Sequence, residues 1–413
     1  MKYLILGAGP AGLSFAYRLF QMGEMDFLIL EKENEAGGLC RSKEIDNGPL
    51  DVGGGHFIDV KDQEVLEFLF DVMPREEWNL YNRNSQISIH GQFINSPIEA
   101  NIWQLSIEKQ IEYLKEIAIA GCNLGVPKPD KFIEWIYWKL GKKIAEDYMV
   151  PYNQKIFSEN LNSLGTYWLE KLPNVSFEET LRSCLEKKAY GTQPGHAQFL
   201  YPKKYGSGEV WRRIADRISG HINYNTIVKH LDIQKHSVNG EYVAEKIICT
   251  IPWKEFREIK GIKSEYLNMI ENLKYSSVVV EYNPECLCSK AHWIYFPDLN
   301  IHYHRILNRR VFSKGKGFWT ETNLNRYKYR SDKRSFFNKY AYPLNTIDKP
   351  MIMKKLLDKM EENNIMGLGR WGEWQHYNSD VVVHRAINLA DKCVRGGVIR
   401  YNFAAPVEIG VCA

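Results

Sequence analysis

The chain opens on a short apolar run, Lys2 to Leu6, followed at once by Gly7-Ala8-Gly9-Pro10-Ala11-Gly12, after which Leu13, Phe15, Ala16 and Leu19 recur at helical spacing. That pattern predicts a strand, a glycine turn and a helix. A second apolar run, Phe27 to Leu30, predicts a strand ending at Glu31, and a helix is expected over Gln63 to Val72. From Gln86 to Ile94 apolar and polar positions alternate around Gly91, the pattern of a hairpin. Two amphipathic helices follow. One carries Ile107, Ile111, Leu114 and Ile117; the other has Asp130 as N-cap, Phe132, Ile133, Trp135, Ile136 and Leu140 as its apolar stripe, and Gly141 as its stop. The Trp and Tyr positions here are expected in the core. A helix over Lys142 to Met149 then leads into Pro151-Tyr152-Asn153-Gln154-Lys155-Ile156-Phe157.

Turn formers cluster at Gly191-Thr192-Gln193-Pro194-Gly195, which predicts a mobile loop, and Phe199 to Gly208 leads to a helix bearing Val210 and Trp211. Ile227 to Ile233, a Gly240 turn and Glu245 to Ile251, ending in Pro252, suggest strands. β-branched and aromatic residues dominate Ser276 to Tyr282, Trp293 to Leu307 and Trp319 to Asn323, as in an antiparallel sheet. Near the end, Gly369-Arg370-Trp371-Gly372-Glu373-Trp374 precedes Asp380 and an apolar helix over Val381 to Cys393.

Composition narrows the class. At 413 residues, 44% hydrophobic, 25% charged and 13% aromatic, the chain is long enough for several globular units and too apolar for disorder. Lys plus Arg at 54 against Asp plus Glu at 50 leaves +4, too weak for a nucleic-acid footprint over the whole surface. The eight cysteines include no CxxC pair, so neither a metal site nor a disulfide scaffold is expected; they read as free, mostly buried thiols in a reducing compartment. No leader pattern and no run of ~18 apolar residues is present, which points to the cytoplasm.

The glycine turn carries the first chemistry. Gly7 permits a tight turn, Gly9 lets backbone approach a pyrophosphate, and Gly12 allows close helix–strand packing, while the helix N-terminus favours the anion by about 0.3–1 kcal/mol. Glu31 stands about 20 residues on, where a carboxylate accepts hydrogen bonds from ribose hydroxyls. Gly37-Gly38-Leu39, Arg41 and Ser42 follow, then Asp51-Val52-Gly53-Gly54-Gly55-His56-Phe57, with His56 the exposed candidate.

The glycine doublet after an acidic strand end, with Arg and Ser beyond it, resembles flavoproteins of the amine oxidase and protoporphyrinogen oxidase superfamily. Within that group the chain is similar to UDP-galactopyranose mutases of the eukaryotic type, through Asp51 to His56, Pro151 to Lys155, Phe199 to Trp211, Trp293 to Arg305, Tyr342-Pro343 and Gly369 to Trp374 in order. The resemblance implies an α/β fold. A Rossmann-like FAD-binding domain, similar to glutathione reductase, would take residues 1–85, 209–262 and 363–413, a helical insertion 101–190, and an antiparallel β-sheet substrate domain 86–100, 191–208 and 263–362. It implies non-covalent FAD held by Gly7, Gly9, Ala11, Gly12, Glu31, Lys32, Gly38, Leu39, Gly54, Gly55, His56, Val228, Gly369, Arg370 and Asp380, with NAD(P)H as a candidate external reductant.

The activity it implies is ring contraction of a nucleotide sugar, in which the reduced flavin N5 attacks the anomeric carbon and nucleotide diphosphate leaves. Arg305 takes the place of a diphosphate-binding arginine, Tyr295 and Tyr342 fall on substrate-side tyrosines, and His56 on a flavin-adjacent histidine. Lys204 stands where the family offers an arginine, and Phe312 and His376 where it offers tyrosines. These departures imply an altered substrate and leave two alternatives open, an oxidoreductase acting on an amine or other small molecule and a non-catalytic FAD-bound structural protein.

Overall fold

Tyr3–Leu6 is a four-residue strand with every side chain buried, as an apolar run must be when helices cover both faces of its sheet. It pairs in parallel with Phe27–Leu30 on one side and Lys246–Cys249 on the other. Ile222–Asn223 and Ile365–Gly367 complete a five-stranded parallel sheet, so residues far apart in the chain build one layer. The computed structural model describes residues 1–169, 172, 174–191, 197–328 and 334–396.

The helix Pro10–Gln21 packs along Ser379–Arg395 on one face of this sheet, where Leu13, Phe15, Val383 and Ile387 share a core with the helix Gly208–Arg217. The other face buries Leu4, Leu6, Ile247, Trp253 and Leu357. Each such aliphatic side chain contributes about 1.5–3 kcal/mol. The strands expected over Ile227 to Ile233 and Glu245 to Ile251 are shorter and divide between two sheets. His230–Asp232 joins Ser237–Val238, Tyr242–Val243 and Glu258–Lys260, whereas Lys246–Cys249 enters the parallel sheet.

A seven-stranded sheet runs in the order Ser335–Pro343, Tyr275–Asn283, Phe318–Asn323, Arg305–Leu307, Trp293–Tyr295, Ser85–Ile89, Gln92–Asn95. It is not wholly antiparallel as expected. The hairpin Ser85–Asn95 docks on Trp293–Tyr295 in parallel, because some two hundred residues of chain separate these neighbours and no tight turn sets their direction. Ile58–Asp59, Gln198–Pro202 and Trp78–Asn82 form a further, small sheet.

The inserted helices are Ile107–Ala118, Phe132–Ile144, Val150–Phe157 and Phe177–Glu186. Lys131, not Asp130, precedes the second, and it gives no side-chain cap. Gly141 kinks that helix at φ 70° and does not stop it; an ideal Cβ there would sit 2.4 Å from the Glu116 carbonyl oxygen, so glycine lets two helices touch. The helix expected over Lys142 to Met149 is a π turn, Ala145–Met149, joining its neighbours. Ile107 and Ile111 are 68% and 49% exposed, since Tyr113, bonded to Asp147, and Ile117 take the core positions. The thiols depart too, for Cys40 and Cys249 are buried but Cys286 and Cys288 lie exposed. Beyond Gly191 the loop at Gly191 to Gly195 lies outside the described residues. Among the described residues no helix is long and apolar enough to cross a membrane.

Candidate active site

The glycine turn packs as tightly as its spacing demands. Gly7 has φ +101°, and an ideal Cβ on Gly12 would lie 2.0 Å from the Gly7 carbonyl oxygen. Gly9 is the N-cap of Pro10–Gln21 and supplies no side-chain cap, so the first-turn amides are left to a ligand. Gly38 lies against Gly9, its ideal Cβ 3.2 Å from the Gly9 Cα. Glu31 is buried, and its Oε2 and Oε1 accept the Ala8 and Glu33 amides at 2.7 and 2.9 Å. The Thr226 amide donates to the Glu31 carbonyl at 2.8 Å, which brings the segment ending at buried Val228 alongside. Lys32 turns instead towards Glu255, 3.8 Å away.

Gly369 closes the group from the C-terminal side. At φ +76°, an ideal Cβ on it would stand 2.6 Å from the Ala11 Cβ, and Asp380 lies buried in the first turn of Ser379–Arg395, a second helix without a side-chain cap. Two uncapped helix N-termini, an acidic ribose acceptor and a bare glycine pair are the donor set that a dinucleotide such as FAD requires. The residues present fit that group.

Asp51 anchors the glycine run from below. Its Oδ1 accepts the Ser42 hydroxyl at 2.6 Å and the Ser207 amide at 3.2 Å, and its Oδ2 accepts Tyr201 Oη at 3.1 Å. Burial pushes its carboxyl up to about 6 while these bonds hold it down. The three glycines meet three different elements. An ideal Cβ would lie 2.1 Å from the Leu39 carbonyl at Gly53, 2.6 Å from Glu321 Oε1 at Gly54, and 2.3 Å from Leu307 Cδ2 at Gly55. Protein packing, then, restricts all three positions to glycine. His56 follows, its Nε2 buried without a hydrogen-bond partner among the described residues. Burial, then Arg370, pulls its imidazole down to about 3, so it is neutral near pH 7.

Strand register assembles the substrate side. Arg305 lies opposite Tyr295 on one neighbouring strand and Glu321 on the other, so the three share one face. Arg305 Nε and Nη2 both donate to Glu321 Oε2, at 3.1 and 2.5 Å, and Nη2 to Tyr342 Oη at 3.3 Å. Glu321 is 1% exposed; burial alone would raise its carboxyl, but Arg305 and His304 hold it well below the usual carboxylate range. Arg305 stays charged, since Glu321 outweighs the cost of its own burial. Tyr152 stands edge-on to Tyr295 at 5.5 Å and stacks on Tyr148 at 5.6 Å. Arg83 Nη2 donates to Tyr295 Oη at 2.7 Å.

His56, Arg305, Tyr295 and Tyr342 are thus gathered in one cluster. Lys204 is not part of it, lying exposed in the turn after Gln198–Pro202 where its charge acts on Glu77, the partner of Arg213. Phe312 is also elsewhere. It is 1% exposed within a ring cluster with Phe57, Tyr201 and Trp319, so it presents nothing to a ligand. His376 does reach the cluster, 5.0 Å from the Tyr342 ring. The sequence alone assigns no site role to Glu321, His304, Tyr148, Tyr152 or Arg83. Only the alternation of the strand Phe318–Asn323 hinted that Glu321 faces Arg305.

Residues 5–72 match the family model described as an NAD(P)-binding Rossmann-like domain. An uncharacterized protein in the nifH2 3′ region of Methanothermococcus thermolithotrophicus is 45% identical over 53 residues, 13% of this chain and 50% of that protein, so the match spans about half the length of that curated relative. A crystal structure of reduced UDP-galactopyranose mutase aligns with TM-score 0.85 and 22% identity over 95% of this chain and 94% of its own. A putative protoporphyrinogen oxidase from Exiguobacterium sp. 255-15 aligns with TM-score 0.69 and 12% identity over 95% and 98%. The resemblance drawn from the ordered motifs holds at the level of fold.

Proposed function

We propose that the chain is an FAD-dependent enzyme that acts on a nucleotide sugar, interconverting its ring forms. The observation that carries this reading is the Tyr295–Arg305–Glu321–Tyr342 cluster. An amine-oxidising site needs an apolar cage at the flavin face, whereas this floor is lined by phenol hydroxyls and a half-buried, held guanidinium suited to hydroxyls and phosphate oxygens. Bound FAD, once reduced, supplies a nucleophilic N5 for an anomeric carbon.

The chain's own residues do the rest. Arg305, oriented by Glu321, keeps Nη1 for a phosphate oxygen, and its side chain is 21% exposed. Tyr295 and Tyr342 orient the ligand with hydroxyls already fixed by Arg83 and Arg305, so little freedom is lost on binding. Tyr148 and Tyr152 offer ring faces to a base. His56, neutral and with Nε2 unclaimed, exchanges a hydrogen bond beside the cofactor as its donor and acceptor roles change. The test incubates the dithionite-reduced holoprotein, and in parallel the NAD(P)H-treated one, with a panel of nucleotide sugars and reads pyranose–furanose exchange by chromatography. Exchange supports the reading. Amine-dependent peroxide release with no exchange on any sugar overturns it in favour of an oxidoreductase.

A further inference from the structure

Arg370 and Arg305 are both cleft arginines, but they are held differently. Arg305 has a carboxylate on it. Arg370 donates from Nε and Nη2 to the Tyr377 carbonyl at 3.1 and 2.8 Å and from Nη1 to the Ala341 carbonyl at 3.1 Å, and no carboxylate pairs with it among the described residues. Carbonyls orient a cation without cancelling its charge, and an uncancelled charge away from water is costly. Burial accordingly disfavours the Arg370 guanidinium charge.

The place matters as much as the charge. Arg370 follows Gly369, which touches Ala11 at the nucleotide turn, and its charge is felt at Cys40, His56 and Tyr342. Those groups belong to the loop after the glycine doublet, the run Gly53 to His56 and the substrate sheet, so Arg370 stands where all three meet. The pyrophosphate already has the uncapped N-terminus of Pro10–Gln21 at the glycine turn, so the cation at this junction remains for the ring end of the cofactor.

We propose that Arg370 faces the flavin of bound FAD and sets its redox poise by favouring the singly protonated, anionic reduced form. Two electrons and one proton convert oxidised flavin to that anion, the electrons coming from dithionite with the proton from solvent, or both together as the hydride of NAD(P)H. The second proton, which would neutralise the ring, is the one that Arg370 disfavours. This rests only on FAD binding and is independent of which substrate the enzyme takes.

The test is the midpoint potential of the holoprotein, measured by slow reduction with xanthine and xanthine oxidase against reference dyes. The titratable groups around Arg370 are His56, Cys40, Tyr342 and Tyr377. None changes charge between pH 6 and 8, because burial holds His56 near about 3 and Cys40 near about 12 and raises both tyrosines. Over that range the parent potential should therefore move by about 30 mV per pH unit, one proton for two electrons. A slope of about 59 mV, two protons for two electrons, overturns the proposal.

Arg370→Gln should shift the equilibrium at least tenfold towards oxidised flavin, about 30 mV, while Arg370→Lys keeps most of the parent potential. The double variant Arg305→Gln/Glu321→Gln, which removes a cation and an anion together, should move it less than threefold. Weaker FAD binding by Arg370→Gln with an unchanged potential in the retained flavin would assign Arg370 to the pyrophosphate and overturn the proposal. If the Gln variant yields no holoprotein, the parent slope and Arg370→Lys still decide.

Discussion

At the scale of single residues, the site is governed by groups whose surroundings forbid their usual behaviour. His56 is the plainest case, because burial and Arg370 keep it uncharged. The unfolded chain takes up a proton on this residue near its ordinary value of about 6.5, and the folded chain excludes it until about 3. Between those values the unfolded state binds more protons, so stability rises with pH and falls as the solution is acidified. His56→Ala should flatten that fall by close to one proton's worth of slope across pH 6 to 4, measured as chemical-denaturation midpoints. The same variant should keep its FAD yet slow flavin reduction at least about tenfold, ~1.4 kcal/mol in the barrier, by stopped flow. An unchanged reduction rate with a loss of stability would make His56 a packed spectator. Gly54 gives a second case. At φ +94°, with Glu321 Oε1 at 2.6 Å from an added Cβ, Gly54→Ala should cost about 1–3 kcal/mol and weaken nucleotide binding, since the displaced carboxylate is the one that orients Arg305.

At the scale of elements, the Arg305–Glu321 pair turns strand register into chemistry. Arg305→Ala alone would strand a buried carboxylate and cost ~3–5 kcal/mol of stability, masking any effect on binding. Arg305→Gln combined with Glu321→Gln removes both charges. This double variant should melt close to the parent yet bind UDP at least about tenfold more weakly by calorimetry, and Lys204→Ala should change neither quantity because Lys204 lies beside Glu77. UDP binding that survives the double variant would remove Arg305 from the ligand site. Register also explains what was legible beforehand. The strand Tyr3–Leu6, its glycine turn and the helix Gln63–Val72 were readable because their signals are local, a few residues of periodicity with a turn or cap attached. Glu321, His304 and Arg83 were not. Glu321 reaches Arg305, His304 reaches Glu321 and Arg83 reaches Tyr295 from one strand or segment to another, and no short window records which residues stand opposite. Gly141 failed for a related reason, since a glycine that ends one helix also serves where another helix presses on it.

At the scale of the whole molecule, the nucleotide site is a convergence of segments that are remote in sequence. The turn at Gly9, the loop at Gly38, the segment before Val228 and the group around Gly369 arrive from four stretches of chain, and strand pairing brings them to one edge of the parallel sheet. A ligand spanning them adds to the contacts they already make at Gly38–Gly9, Gly369–Ala11 and Thr226–Glu31, so its binding energy should appear as stability of the entire fold. With FAD at a hundred times its Kd, linkage gives about 2.7 kcal/mol, a melting shift of at most about 2–4 °C per kcal/mol for a chain of this length. The melting temperature should climb with FAD concentration and not with NAD at equal concentration. Attachment should be non-covalent. Cys393 sits in the last turns of Ser379–Arg395, where its carbonyl accepts the Tyr3 hydroxyl at 3.2 Å, at the start of the strand whose far end forms the glycine turn. Cys40, nearer the site, is a buried thiol that burial pushes up to about 12, far from the thiolate that a flavin linkage would need. Acid or heat should therefore release all of the yellow colour into the supernatant as intact FAD. Flavin that stays with the precipitated chain would refute this account of the site, and so would a melting curve indifferent to added FAD.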